Sequence, residues 1–98
     1  MILDQFRLDN KIALVTGAGR GLGQGIALGL AEAGADIAGL DRSGSPETAA
    51  QVRALGRRYL EIECDLLSAS VAELNDVVAR VENELGALDI LVNNAGII

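Results

Sequence analysis

Four glycines fall within seven positions in the run Thr16-Gly17-Ala18-Gly19-Arg20-Gly21-Leu22-Gly23. Glycine permits a sharp turn and lets another group come close to bare backbone. Where such a loop opens onto the first turn of a helix, unpaired N–H groups and the positive end of the helix dipole make a seat for a pyrophosphate. An acid follows at a useful distance: Asp41 lies 18 residues after Gly23 and 24 after Gly17. That brackets the spacing of about 20 at which a carboxylate reaches the hydroxyls of an adenosine ribose. Such a carboxylate accepts from both hydroxyls and repels a 2′-phosphate, which favours NAD, while Arg20 and Arg42 keep NADP open.

The glycines alone make a turn, not a site. The strict G-x-G-x-x-G spacing fails here, because Leu22 stands where the last glycine of a series begun at Gly17 and Gly19 would fall. Gly17-x-Gly19-x-Gly21 also fits the loop of S-adenosylmethionine methyltransferases, but Thr16 replaces the acid found before that loop. What the site reading needs is a strand before the loop, a helix after it and an acid at the end of the next strand.

The flanking segments supply these. Lys11 to Thr16 is a short apolar run ending in glycines, as a strand buried on both faces would be. From Gly21, Leu22, Ile26 and Leu30 recur every four residues and Gly34 gives a stop, so a helix is expected with these side chains inward. Gly21, Gly25 and Gly29 share another face, where a neighbour could pack closely. Asp36 to Leu40 reads as a second strand, followed by a Ser43 to Pro46 turn. A second helix from Pro46 turns Ala49, Val52 and Leu55 inward and ends at Gly56, with Arg57 and Arg58 complementing its C-terminal dipole.

Tyr59 to Cys64 alternates apolar with acidic, as an edge strand with one wet face does, with Leu60, Ile62 and Cys64 inward. Ser70 and Glu73 have capping-box spacing ahead of the apolar stripe Val71, Leu74, Val78, Val81 and Leu85, stopped by Gly86. Leu88 to Val92 is a fourth strand. Strands alternating with helices imply βαβ units, an α/β fold and a parallel sheet. A doubly wound, Rossmann-type arrangement gives the strand order 3-2-1-4.

The chain has 98 residues, half of them hydrophobic and 22% charged, which suits a small globular unit. A formal net charge of −6 with scattered basic residues leaves no stripe for a nucleic acid backbone. One cysteine and no histidine argue against a disulfide, a clustered Cys/His metal site or a histidine triad. No apolar run reaches the ~18 residues of a membrane span, and the amino terminus lacks signal-peptide character. A cytoplasmic protein is expected.

With Thr16-Gly17 opening the loop, Gly21 and Gly23 closing it, and Asn93-Asn94-Ala95-Gly96 following the fourth strand, the chain resembles the classical short-chain dehydrogenases/reductases. Gly23-Gln24-Gly25, Ala27 to Ala31 and Ala54 to Arg58 look most like the 2-deoxy-D-gluconate 3-dehydrogenase group. The resemblance implies a cofactor site of Gly17, Gly19, Arg20, Gly21, Leu22, Gly23, Asp41, Asp65, Leu66, Asn93, Ala95 and Gly96. Within it, Asp65 and Leu66 would lie against adenine, Asn93 to Gly96 beside the adenosine ribose, and Asn93 would also brace the central strands. It also implies a homotetrameric oxidoreductase acting on a small molecule such as a sugar acid.

Enzymes of that family use a serine and a tyrosine with a lysine four residues later. Tyr59 is followed at that spacing by Glu63, and the single lysine is Lys11, so Tyr59 reads as a strand residue covering the core. No catalytic and no metal residue is therefore expected in residues 1–98. The stretch reads as a partial NAD(P)-binding domain, a fragment of a longer single-domain enzyme. The competing expectation is a truncated paralogue that binds NAD without catalysis.

Overall fold

A computed structural model describes residues 7–94. Its elements alternate as β1 (Ile12–Thr16), α1 (Gly21–Glu32), β2 (Asp36–Asp41), α2 (Pro46–Ala54), β3 (Tyr59–Glu63), α3 (Val71–Glu84) and β4 (Ile90–Val92). The four strands form one parallel sheet in the order β3-β2-β1-β4. The chain therefore has the doubly wound α/β arrangement that its sequence implies.

Alternation along the strands feeds two cores. Ala13, Val15 and Ile37 face α1 and α2, joining Ala27, Ala31, Val52 and Tyr59. Ile12, Leu14, Ala38 and Leu40 face the other way, joining Ile62 and Val81 of α3. All five residues of β1 are buried, as expected for a central parallel strand covered on both faces. The two ends of β4 are tied to β1: Asp89 accepts from the Ile12 N–H at 2.9 Å, and the Thr16 hydroxyl accepts from the Asn94 N–H at 2.8 Å.

Several inward faces differ from expectation. In α1 the buried residues are Gly23, Ala27 and Ala31, while Leu22 is 66% exposed. Small side chains let the helix lie close to the sheet, so the leucine periodicity marks mainly its flank, with Leu30 half-buried at the edge of the contact. Among the described residues, the Gly21, Gly25 and Gly29 face meets no partner, since a Cβ at any of these would find no atom of another element within 4 Å. In α2, Ala49 and Val52 are inward as read, but the third inward residue is Thr48, and Leu55 is exposed at the C-cap.

In β3, Tyr59 is buried on the face opposite Ile62, and Leu60 and Cys64 are only half-buried. The α3 cap forms, with Ser70 Oγ accepting from the Glu73 N–H at 3.1 Å. Of the α3 stripe only Val81 is buried, whereas Val71, Leu74 and Val78 are exposed. Arg58 serves α3 and not α2. Its guanidinium pairs with Asp36 at 2.9 Å and donates to the Leu85 carbonyl at 3.0 Å, at the negative end of that helix.

Candidate functional site

The loop between β1 and α1 turns at Gly17, whose φ of 66° is costly for any residue with a Cβ. The Gly17 N–H donates to the Leu40 carbonyl at 2.7 Å, which ties the loop to the end of β2. A Cβ on Gly23 would run into the Gly17 carbonyl and come within 2.8 Å of Asn94 Nδ2. Bare backbone at Gly23 is thus what lets α1 start beneath the loop.

The start of α1 lacks what α3 has. Arg20 stands at its N-cap with extended backbone and no side-chain hydrogen bond, and its first turn holds no acid. The first N–H groups of an uncapped helix, with the dipole's positive end, are the donors an anion takes up. Arg20 itself is exposed and lines a cleft of about 670 Å³ along the C-terminal ends of the strands. Such a crevice is where ligands bind in open α/β sheets.

Asp41, the last residue of β2, lines the same cleft half-buried. Its Oδ2 accepts from the Gly19 N–H at 3.0 Å and its Oδ1 from the Ser43 N–H at 3.0 Å. Two backbone donors thus fix the plane of the carboxylate. An ionised carboxylate offers about four acceptor directions, so about two remain.

Of the residues expected at the site, Gly17, Gly19, Arg20, Asp41, Asp65, Leu66 and Asn93 line the cleft together. Gly21, Leu22 and Gly23 form the first turn of α1 and do not line it. Ala95 and Gly96 lie outside the described residues. Asp65 Oδ1 accepts from the Leu67 N–H at 3.0 Å, shaping the turn after β3. Asn93 Oδ1 accepts from the Thr16 hydroxyl at 3.2 Å, a bond between the residue after β4 and the end of β1.

Other cleft residues were not singled out in sequence. Ser43 and Gly44 line it from the β2–α2 turn, and Cys64 and Leu67 from the segment after β3. Thr48 was also missed, although Ser45, Thr48 and Val52 stand at helical spacing beside the inward Ala49. A polar residue on that face signals a buried hydrogen bond, and Thr48 makes one, donating to the Ala18 carbonyl at 2.7 Å.

Tyr59 is 5% exposed and its hydroxyl lies 2.6 Å from Ser45 Oγ. Burial, more than the opposing Ser45 bond, pushes its pKa above the ordinary value of 10.0. A proton-transferring phenol needs the opposite shift. Among the described residues no group of three or more His, Cys, Asp or Glu could hold a metal, and no helix is long and apolar enough to cross a membrane.

This fold, with an open-ended helix and a fixed acid at the crevice, defines a doubly wound, Rossmann-type α/β unit. The family model for short chain dehydrogenase matches residues 11–98, and the chain belongs to that family. It is 50% identical over its whole length to a 2-dehydro-3-deoxy-D-gluconate 5-dehydrogenase of Escherichia coli (strain K12), covering 38% of that protein. A Bacillus subtilis (strain 168) protein of the same name is 47% identical over 97% of this chain and 37% of its own length. The chain thus spans less than two fifths of these relatives.

Among solved structures, a short-chain type dehydrogenase/reductase from Mycobacterium marinum superposes with a TM-score of 0.90 at 37% identity, over 100% of this chain and 40% of that one. Carveol dehydrogenase from Mycobacterium avium, in complex with NAD, gives 0.85 at 34% identity over 93% and 37%.

Proposed function

We propose that this chain is the cofactor-binding part of an NAD-dependent oxidoreductase. The enzyme would move hydride between nicotinamide and a hydroxyl or keto group of a deoxy sugar acid. The observation that carries this reading is an Asp41 carboxylate held by two backbone N–H groups in a cleft whose rim includes Arg20, the N-cap of the otherwise uncapped α1. The helix start supplies donors for a pyrophosphate. The carboxylate keeps about two acceptor directions for ribose hydroxyls and sets a negative charge where a 2′-phosphate would fall. Bare backbone at Gly19 brings the loop directly against Asp41, so that the loop and the acid face the cleft together.

In this reading Asp65 and Leu66 lie against adenine and Asn93, with Ala95 and Gly96, beside the adenosine ribose. Bound nicotinamide supplies the hydride chemistry, and this chain's residues bind and orient it without taking part in proton transfer. The sugar-acid substrate rests on the names of the relatives, and the homotetramer on the family resemblance. The other reading, a methyltransferase-type S-adenosylmethionine site, has the glycine spacing and the acid ending β2 in its favour, but Thr16 replaces the acid before that loop and Asn93-Asn94-Ala95-Gly96 has no role in it.

Thermal unfolding with each ligand separates the readings. NAD at about 100 times its Kd is expected to add about 2.7 kcal/mol of stability, with less protection from NADP and none from S-adenosylmethionine. Protection by S-adenosylmethionine and none by NAD would overturn the proposal.

A further inference from the structure

We propose that Thr48, a fully buried residue that does not line the cleft, is the positioning residue that aims Asp41 and so sets discrimination between NAD and NADP. The inference rests on the reading of Asp41 as the ribose-binding acid. Its basis is a continuous chain of hydrogen bonds that ends on that carboxylate. Gln24 Nε2 of α1 donates to Thr48 Oγ1 at 3.1 Å. The Thr48 hydroxyl has no exposed surface and donates to the Ala18 carbonyl at 2.7 Å. The next N–H, that of Gly19, donates to Asp41 Oδ2 at 3.0 Å.

The middle step is set by covalent geometry. In a planar trans peptide the carbonyl and the following N–H point in opposite directions. Holding the Ala18 carbonyl toward α2 therefore aims the Gly19 N–H out of the loop, at Asp41. The peptide is gripped on both sides, and the space allows no slack: a Cβ on Gly19 would lie 2.8 Å from Asp41 Oδ2 and 3.0 Å from the Gly44 carbonyl. Gln24 fixes the remaining freedom, since by donating to Thr48 Oγ1 it leaves the hydroxyl's own hydrogen for Ala18. Bonds linked in this way polarise one another.

Without the Thr48 hydroxyl, the Ala18 carbonyl loses its buried donor and the peptide can rotate. The Gly19 N–H then leaves Asp41, and the carboxylate is held by Ser43 alone. Its remaining acceptor directions no longer face fixed ribose positions, and its charge no longer sits at one place against a 2′-phosphate. Valine matches threonine in shape and lacks the hydroxyl, while serine keeps the hydroxyl and loses a methyl.

The test is calorimetric titration of the full chain with NAD and with NADP, in Thr48→Val, Thr48→Ser, Asp41→Ala and the Thr48→Val/Asp41→Ala pair. Thr48→Val is expected to weaken NAD roughly tenfold, the cost of one buried hydrogen bond, and to narrow the NAD-to-NADP affinity ratio. Thr48→Ser should restore both, and Thr48→Val should have little further effect once Asp41 is alanine. A folded Thr48→Val that keeps the wild-type ratio, or a Thr48→Ser equally impaired, overturns the inference while the Asp41 reading stands. An Asp41→Ala that binds NAD as tightly as wild type overturns the Asp41 reading, and the inference with it. Should Thr48→Val not fold, Gln24→Met removes the donor to the Thr48 hydroxyl from the helix side. It should narrow the same ratio, and an unchanged ratio refutes the chain.

Discussion

Replacing Gly23 and Gly25 separately by alanine should move stability in opposite directions, although the two sit two residues apart on one helix. A Cβ on Gly23 would strike the Gly17 carbonyl, with the carbonyl carbon 2.7 Å and Asn94 Nδ2 2.8 Å away. Two of these three atoms belong to backbone, which cannot swing aside as a side-chain tip can. The helix start or the loop must shift, at a cost of about 1–3 kcal/mol. At Gly25 the same methyl meets nothing within 4 Å, and alanine in a helix gains roughly 0.5–1 kcal/mol over glycine. For a chain of this size 1 kcal/mol corresponds to about 4–8 °C in Tm. Circular dichroism melts should therefore show Gly23→Ala lower by about 5–20 °C and Gly25→Ala higher by a few degrees. Equal shifts, or a Gly23→Ala protein as stable as wild type, would refute the packing argument.

Tyr59 is the only tyrosine, so phenolate absorbance reports one group, and its midpoint should lie above the ordinary 10.0, falling back in denaturant. Because the folded pKa is raised, its stabilising contribution is whole below about pH 10 and is lost as pH climbs through the raised value; a native midpoint at or below 10.0 would contradict this. Arg58→Ala removes the Asp36 pair and the donor to the Leu85 carbonyl. It should cost about 1 kcal/mol, with hydrogen exchange rising in the last turn of α3 and not of α2. Leu74, Val78 and Leu91 are exposed apolar side chains, and sedimentation should show concentration-dependent association that a Leu74→Glu/Val78→Glu variant relieves.

Element order and strand order were legible because each segment carries its own signal. The short apolar runs at β1 and β2, the Ser70 cap of α3 and the glycine stops at Gly34, Gly56 and Gly86 are local features that the fold keeps. Inward faces were less legible wherever small or polar residues make the contact. In α1 the leucine and isoleucine periodicity hid the Gly23, Ala27 and Ala31 face, since close approach is a property of missing side chains. In α2, Thr48 took the place assigned to Leu55 because a buried carbonyl at Ala18 needed a donor, and that need arises only once the loop is folded above the helix.

The cleft residues were legible in part for a related reason. Gly17, Gly19 and Asp41 follow from spacing, and Asp65, Leu66 and Asn93 from family likeness. Ser43, Gly44, Cys64 and Leu67 join them only through the geometry of two strand ends. Arg58 was read as serving the preceding helix, yet it reaches α3, some 26 residues further on, because β3 starts and α3 finishes at the same end of the sheet.

The pairing of β1 has a consequence for the order in which the chain assembles. With β2 it joins residues 24 apart, Ile12 to Asp36, and β2 joins β3 across 22, Ile37 to Tyr59. With β4 it joins residues 77 apart, Ala13 to Ile90. Closing the longer loop costs about 1 kcal/mol more in chain entropy, and β4 brings only three residues to meet it. The first three strands with α1 and α2 are thus expected to form early as a local unit, with β4 docking last and its amides exchanging first. The loop and Asp41 belong to the early unit, whereas Asn93 arrives with β4. A ligand touching both would fasten the latest contact of folding, so that occupancy of the cleft and closure of the sheet reinforce each other.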